Sequence, residues 1–132
     1  MNGKKLENNF IKYWIEDGIL YSEFTTQTDV DIKNIKAVID LRTEISDGEK
    51  QYWCYDFNRI KSYNKEARDY ADKNGQEYLY ACAVIFNSHI AKFTLNAFMK
   101  LKNPLIPLKG FTKKEEAVKW LIELKANQLK SK

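Results

Sequence analysis

The sequence has one histidine, two cysteines and two prolines among 132 residues, and it has no apolar run of the roughly 20 residues that a membrane-spanning helix requires. His89 has no Cys or His neighbour at metal-ligand spacing, so we expect no zinc site. Cys54 and Cys82 lie in separate apolar segments without a C-x-x-C motif, which predicts two reduced, buried thiols. These scarcities argue against a metal centre, a disulfide framework and a membrane span.

Motifs for nucleotide binding and catalysis are also scarce. The five glycines form neither a G-x-G-x-x-G sequence nor a P-loop. Asp56 and Glu66 are a candidate carboxylate pair, and a cleft joining them to His89 would be the minimum sign of an enzyme. Paired carboxylates are common in proteins, and nothing else in the sequence supports hydrolysis. We therefore expect no enzymatic activity, and we also expect no cofactor and no metal.

Charge is unevenly distributed along the chain, whose formal net charge is +4. Residues 1–90 contain 12 Lys and Arg against 15 Asp and Glu, whereas residues 91–132 contain 10 Lys against 3 Glu. The C-terminal lysines are dispersed and no arginines cluster, which is typical of a solvated surface and predicts no nucleic-acid partner. Because no apolar segment follows Met1, we expect a cytoplasmic protein.

Hydrophobic periodicity predicts a single domain over residues 1–132, with an ordered core at about 8–125. The Asp17-Gly18 dipeptide predicts a tight hairpin turn, and a polar loop is expected at 25–28. The predicted strands are 10–16, 19–24, 52–57, 78–86 and a short edge strand at 106–108. The predicted helices are 30–45, 64–74, one from Asn87 or Ser88 to Asn103-Pro104, and one beginning at Thr112, followed by a frayed tail at 126–132.

Two helices carry apolar stripes that are expected to face the core. The stripe of the third helix is Ile90, Phe93, Ala97, Phe98 and Leu101, and that of the last helix is Ala117, Trp120, Leu121 and Leu124. The apolar strand at 78–86 predicts a central parallel strand covered on both faces. Together these elements predict an α/β sandwich with a mixed central sheet, an N-terminal β-hairpin and about four helices.

The segment 52–74 is the expected centre of function. It is predicted to form a strand, a short turn and a helix capped by Asn64. In open α/β sheets, binding sites tend to lie where a strand's carboxyl end meets a helix N-terminus, because unpaired N–H groups are exposed there. The predicted partner-binding residues are Ser62, Tyr63, Asn64, Lys65, Glu66 and Arg68.

Three features of the sequence occur together. They are the order of the elements, DFNRI at 56–60 running into NKEA at 64–67, and, within 104–124, a Pro-flanked short strand followed by Phe111-Thr112 and then EAVKWL. On these features nearly the whole chain resembles the STAS-like domains, which are related to the anti-sigma factor antagonists, and a small bacterial STAS/SEC14 branch in particular. This resemblance implies a STAS-like fold and a non-enzymatic protein-interaction or regulatory module with an unidentified protein partner.

The same resemblance places Glu66 at a functional position. In the antagonists, an Asp-Ser-Ser-Gly segment at the start of this helix carries the serine that a partner kinase phosphorylates. Here Glu66 stands at the phosphorylated serine and Lys65 at its neighbour, so no hydroxyl is present to modify. Two interpretations stay open: Glu66 imitates a permanently phosphorylated state, or its carboxylate only stabilises the first helical turn.

The aromatic residues raise a second functional hypothesis. They are numerous enough either to fill a core or to line an apolar pocket. The residues concerned are Tyr52, Trp53, Tyr55, Phe57, Phe86, Phe93, Phe98 and Trp120. The SEC14-like side of the resemblance implies lipid or other apolar ligands, so the alternative is a small carrier of an apolar small molecule, and a large internal cavity would distinguish it. A homodimer is also compatible with this sequence.

Overall fold

The computed structural model of the protein describes residues 4–100 and 106–130. The strands are β1 (Lys5–Glu7), β2 (Ile11–Glu16), β3 (Ile19–Phe24), β4 (Thr28–Val30), β5 (Gln51–Asp56), β6 (Ile60–Tyr63), β7 (Leu79–Ile85) and β8 (Leu108–Phe111). The helices are α1 (Ile32–Ser46), α2 (Lys65–Asn74), α3 (His89–Met99) and α4 (Lys114–Lys130). Within these described residues the protein is a mixed α/β structure with four helices.

The main sheet has six strands in the order β1-β2-β3-β5-β7-β8. The first three strands pair antiparallel, whereas β3, β5, β7 and β8 pair parallel, so the sheet is mixed, as predicted. β7 is a central strand buried along nearly its whole length, and β8 lies at the edge. Both positions confirm the sequence prediction, although the edge strand begins one residue after Pro107 and extends to Phe111.

The hairpin of β2 and β3 is confirmed. Its turn residues Asp17 and Gly18 have φ angles of 52° and 79°, the left-handed values that a type I′ turn requires at both central positions. The register pairs Ile15 with Leu20, and these two side chains point toward the same layer of the core. The turn chemistry therefore sets which face of the hairpin is buried.

Three helices begin at side-chain caps, of which the sequence predicts Asn64 and, as one of two alternatives, Ser88. Asp31, Asn64 and Ser88 each accept a hydrogen bond from the backbone N–H three residues further on. Each bond satisfies one of the donors left unpaired in a first helical turn. The caps therefore define where α1, α2 and α3 start.

The main sheet separates two apolar layers. On one face, α1, α2 and α3 pack with aromatic and aliphatic side chains of β2, β3, β5 and β7. On the other face, α4 lays Ala117 and Leu121, both fully buried, against Tyr52, Cys54 and Ala83. Successive side chains of β5 and β7 point alternately into the two layers, which explains why these strands are apolar throughout.

Three short strands were missed by the sequence analysis. β4 and β6 pair in parallel as a separate two-stranded sheet, with Thr28 aligned with Ile60 and Val30 with Tyr63. Residues 25–28 are therefore not wholly a loop, and the strand at β5 does not turn directly into α2, because β6 intervenes. β1 adds to β2 at the edge of the main sheet.

The apolar stripe predicted for α3 is wrong in part. The helix buries Ala91, Thr94 and Leu95, whereas Ile90 is exposed and the Phe93 side chain is 67% exposed. The inward face is thus rotated from the predicted stripe, of which Phe98 is partly buried against the core. Leu101 and the predicted end of this helix at Asn103-Pro104 lie outside the described residues.

The last helix is longer than predicted. α4 continues to Lys130, so residues 126–130, which the sequence predicts as part of a frayed tail, are helical. Of its predicted inward stripe, Ala117 and Leu121 are fully buried, and Trp120 and Leu124 are partly buried against the same layer. The stripe itself is therefore confirmed.

Candidate ligand-binding cavity

A cavity of about 110 Å³ lies between the three helices α1, α2 and α3 and the sheet face that they cover. Its wall is formed by Ile35, Val38, Ile39 and Arg42 of α1, by Ala71, Asp72, Gly75 and Gln76 at the end of α2, by Leu95 and Phe98 of α3, and by Trp53, Tyr55, Phe57, Tyr63, Leu79, Cys82, Val84, Ile106 and Leu108. Most of these side chains are apolar, and more than half of the residues are buried, whereas Ile39, Ala71, Asp72, Gly75, Gln76, Phe98, Ile106 and Leu108 are partly exposed.

Arg42 is the only fully buried charged side chain among the residues that the structure describes. Its Nη1 donates to the carbonyl oxygen of Glu77 at 2.7 Å, and its Nη2 donates to that of Gly75 at 2.8 Å. The guanidinium also lies 5.0 Å from the centre of the Trp53 ring. These contacts attach α1 to the segment that follows α2, whose terminal carbonyls favour a positive charge.

Arg42 has no acidic partner in the described part of the chain. No carboxylate oxygen lies within 4.0 Å of its guanidinium nitrogens. Burial lowers the pKa of Arg42, with neighbouring Tyr13, Cys82, Tyr55 and Glu77 opposing that effect. A buried cation without a counter-ion is costly, so the position is electrostatically suited to an added negative charge.

Two buried side-chain polar atoms of the described residues have no hydrogen-bond partner, and both belong to the cavity wall. They are the Nε of Arg42 and the hydroxyl oxygen of Tyr55, whose side chain is 5% exposed. Burial raises the pKa of Tyr55 well above its ordinary value, so the hydroxyl keeps its proton and is a potential donor. The cavity thus combines an apolar wall with two unused donors.

The cavity volume limits what can enter. An apolar cavity of about 150 Å³ in another protein accommodates benzene. The space here is somewhat smaller, so it limits an occupant to a small apolar group and is too small for a whole lipid.

The predicted partner-binding residues are divided between the surface and the interior. Ser62 is exposed, and its hydroxyl donates to the Asp29 carboxylate at 2.7 Å across the β4–β6 pair. Tyr63, by contrast, is buried and contributes to the cavity wall. Arg68 is partly buried and donates to the Tyr63 carbonyl oxygen. Tyr63 is therefore not available to a surface partner.

The start of α2 presents the other predicted residues to solvent. Asn64 is exposed and caps the helix by accepting from the Ala67 N–H at 2.9 Å. Lys65 forms an exposed ion pair with Asp69 at 2.7 Å. Glu66 is exposed in the first turn, and its carboxylate makes no hydrogen bond or ion pair with any described residue. This turn is an accessible polar surface.

The three candidates for acid–base chemistry lie on separate elements. Asp56 ends β5 and accepts from the Asn58 N–H at 2.7 Å, Glu66 lies in the first turn of α2, and His89 is the exposed first residue of α3. No hydrogen bond or ion pair joins any two of these three residues, all of which are described. Within residues 4–100 and 106–130, no group of three or more His, Cys, Asp or Glu is placed to hold a metal ion.

The two cysteines confirm the prediction of reduced, buried thiols. Cys54 packs in the layer under α4, whereas Cys82 lies on the opposite face of the sheet and in the cavity wall. Burial raises the pKa of Cys54 to about 12 and also raises that of Cys82. Both thiols are therefore protonated and unreactive at neutral pH.

Sequence reasoning missed Arg42, although the sequence contained a signal for it. Arg42 stands four residues after Val38 and three before Ile45, on the same face of the helix as both. A charged residue on an apolar stripe must either reach solvent or find buried partners. In the structure Val38, Arg42 and Ile45 are all buried, so this stripe faces the core. The described part of the chain contains no helix long and apolar enough to cross a membrane.

A family model described as "Domain of unknown function (DUF7793)" matches residues 13–125. This span runs from β2 to α4 and contains every residue that lines the cavity. No curated protein and no solved structure matches the chain.

Proposed function

We propose that the chain, which belongs to the DUF7793 family, is a non-enzymatic binding module that holds one small apolar ligand between its helices and its sheet. The observation that carries this proposal is the cavity of about 110 Å³ in the layer formed by α1, α2 and α3. Apolar side chains that border an unfilled space lack packing partners on that side. A bound ligand would supply those partners.

The aromatic side chains around the cavity support this function. Trp53 and Tyr55 stack with ring centres 4.2 Å apart, and Phe57 meets Tyr55 edge-on at 4.8 Å. Because these rings contact one another, they form a wall that is already in place without a ligand. A preformed wall lowers the entropy cost of binding, because few side chains need to be ordered.

Toluene is the first probe, because it is apolar, uncharged and close to the size of the cavity. We expect toluene to shift the amide NMR signals of residues along α1, β5 and the end of α2 in a saturable manner. The variant Ala71→Leu adds bulk to the cavity wall and should abolish these shifts. Ala37→Leu is the matched control, since Ala37 lies on α1 outside the wall. If toluene caused no saturable shifts, or if both variants behaved alike, the proposal would be wrong.

A second candidate is the STAS-like interaction module, for which the exposed start of α2 is the supporting feature. Asn64, Lys65 and Glu66 are consecutive exposed polar residues, Ser62 is exposed just before them near the end of β6, and Glu66 places an unpaired carboxylate near the helix N-terminus. A partner with a basic surface would complement that carboxylate. In this candidate the fold would be a STAS-like sandwich, and Glu66 would stand where the antagonists carry a phosphorylated serine.

Native mass spectrometry on the tag-free protein, isolated gently from its own cells, tests the second candidate. We expect a protein that co-purifies at fixed stoichiometry and is lost in the Glu66→Lys variant. Glu44→Lys, which reverses an exposed carboxylate on α1, should retain it. A partner that tolerated Glu66→Lys would bind elsewhere, and this site assignment would then be wrong.

A further inference from the structure

We propose that the ligand of this cavity is a small carboxylate with an apolar body, whose carboxylate oxygens accept hydrogen bonds from Arg42 and Tyr55. The inference rests on the proposed function, because it names the chemical class of the ligand that the same cavity would hold. It follows from the juxtaposition of an apolar space, a buried cation and two donors without partners.

The charge of the ligand follows from Arg42. Its two terminal nitrogens are used by the carbonyl oxygens of Glu77 and Gly75, which are neutral acceptors. The guanidinium thus keeps its charge uncompensated by any carboxylate of the described residues within 4.0 Å. An anion next to Nε would supply the missing counter-ion in an environment where such a pair is strongly coupled.

The Tyr55 hydroxyl favours a ligand that carries a hydrogen-bond acceptor. Tyr55 stacks on Trp53, and the Arg42 guanidinium lies over that same Trp53 ring, so both donors belong to one wall. A carboxylate offers two acceptor oxygens, one for each donor, and it carries the negative charge that would balance Arg42, whereas an alcohol is neutral. Hydrogen bonds to a charged group are stronger than those between neutral groups, which favours the carboxylate further.

The rest of the cavity determines the body of the ligand. Val38, Leu79, Val84 and Leu95 present only hydrocarbon, so the remainder of the ligand must be apolar. Asp72 is a partly exposed residue of the wall, and its negative charge disfavours a carboxylate directly beside it. The ligand is therefore expected to hold its carboxylate beside Arg42 and to fill the rest of the space with its apolar body.

The probes are sodium benzoate, benzyl alcohol and toluene, which share a ring and differ in the group that it carries. Dissociation constants are measured at pH 7 from amide NMR shifts. We expect benzoate to bind the wild-type protein at least about tenfold more tightly than benzyl alcohol, the difference typical of one hydrogen bond to a charged group. The Tyr55→Phe variant should lose most of this preference while its toluene affinity stays within about twofold.

Two further variants separate ligand binding from folding. Tyr13→Phe removes a buried hydroxyl of the same layer that is bonded to the Val38 carbonyl and does not line the cavity, so it should leave the benzoate preference intact. Arg42→Met removes the charge and also the two hydrogen bonds that attach α1 to the segment after α2. If the Arg42→Met variant folds, it should lose the preference for benzoate. If it does not fold, the Tyr55→Phe variant alone tests the inference.

The outcomes distinguish this inference from the proposed function. Equal affinities for benzoate and benzyl alcohol, together with toluene binding, would overturn the carboxylate assignment and leave an apolar cavity. Benzoate shifts confined to surface lysines would also overturn it. Failure of all three probes to bind in the cavity would overturn both proposals.

Discussion

Two buried tyrosines of the same layer differ in one respect, the partner of the hydroxyl group. Tyr13 donates to the Val38 carbonyl at 2.9 Å, whereas the Tyr55 hydroxyl has no partner among the described residues. We predict that Tyr13→Phe lowers the free energy of unfolding by about 1 kcal/mol, because it removes a buried hydrogen bond. Tyr55→Phe should leave that free energy unchanged or raise it by up to about 1 kcal/mol, because it removes a desolvated group that gains nothing.

Urea denaturation of the ligand-free protein measures both changes. A loss of stability in Tyr55→Phe as large as that in Tyr13→Phe would mean that the Tyr55 hydroxyl is bonded in the folded protein. A hydroxyl that reduces stability without a ligand is typical of a binding group, because functional sites often retain unsatisfied donors.

Asp56 should make the stability of the protein depend on pH. Burial raises the pKa of its carboxyl group, and the hydrogen bond from the Asn58 N–H only partly opposes this. Because the folded state binds the proton more tightly than the unfolded state, stability falls as pH rises from the ordinary Asp value of about 3.9 through the raised folded value. At neutral pH the Asp56 carboxylate therefore costs stability.

The Asp56→Asn variant should consequently be more stable than the wild type at pH 7, and the difference should shrink below a pH of about 4. The asparagine oxygen can still accept from Asn58, so the turn after β5 is preserved. Thermal unfolding across this pH range checks the prediction. Asp40→Asn, which neutralises an exposed carboxylate on α1, controls for the change in net charge; an equal effect there would contradict the assignment to Asp56.

At the scale of elements, the start of α2 depends on one side chain. Asn64 Oδ1 accepts from the Ala67 N–H, and Asn64 also joins the helix to β4 by donating its own N–H to the Val30 carbonyl. We predict that Asn64→Ala costs about 1 kcal/mol of stability, whereas Asn64→Asp, which keeps the acceptor, costs little. Chemical denaturation of the two variants tests this, and equal losses would show that the cap bond is not what stabilises α2.

Local signals explain why the hairpin and the helix starts could be predicted. The positive φ angles at Asp17-Gly18 and the acceptors at Asn64 and Ser88 are properties of a few neighbouring residues. β4 and β6 have no such signal, because each is three or four residues long and exists through pairing with a segment 30 or so positions away. Non-local pairing is invisible to periodicity.

The candidate site could likewise be predicted only in part from local sequence signals. The aromatic residues at 52–57 predicted either a core or a pocket, and Trp53, Tyr55 and Phe57 belong to the core cluster and also line the cavity. Whether side chains fill a space or leave a void depends on volumes contributed by three helices, which no single segment reveals. Arg42 was recognisable only from its position on the apolar stripe of α1.

At the scale of the whole molecule, the two layers beside the sheet are packed differently. The layer under α4 contains fully buried Leu121 and Ala117, whereas the layer under the other helices contains the cavity. A binding module benefits from this asymmetry, because one layer can supply the stability that the other lacks. The sheet connects the two, since β5 and β7 contribute side chains to both.

Matched leucine truncations on the two faces measure this asymmetry. Leu121→Ala should cost about 2–5 kcal/mol, the range for a leucine removed from a well-packed core. Leu95 is also buried, but its side chain borders the cavity and has fewer atoms around it, so Leu95→Ala should cost clearly less. Leu95→Ala should also enlarge the cavity and strengthen binding of a larger ring such as that of naphthalene, whereas Leu121→Ala should not. Equal losses of stability in urea, with no change in ligand size preference, would mean that both faces are packed alike and that the cavity is closed in solution.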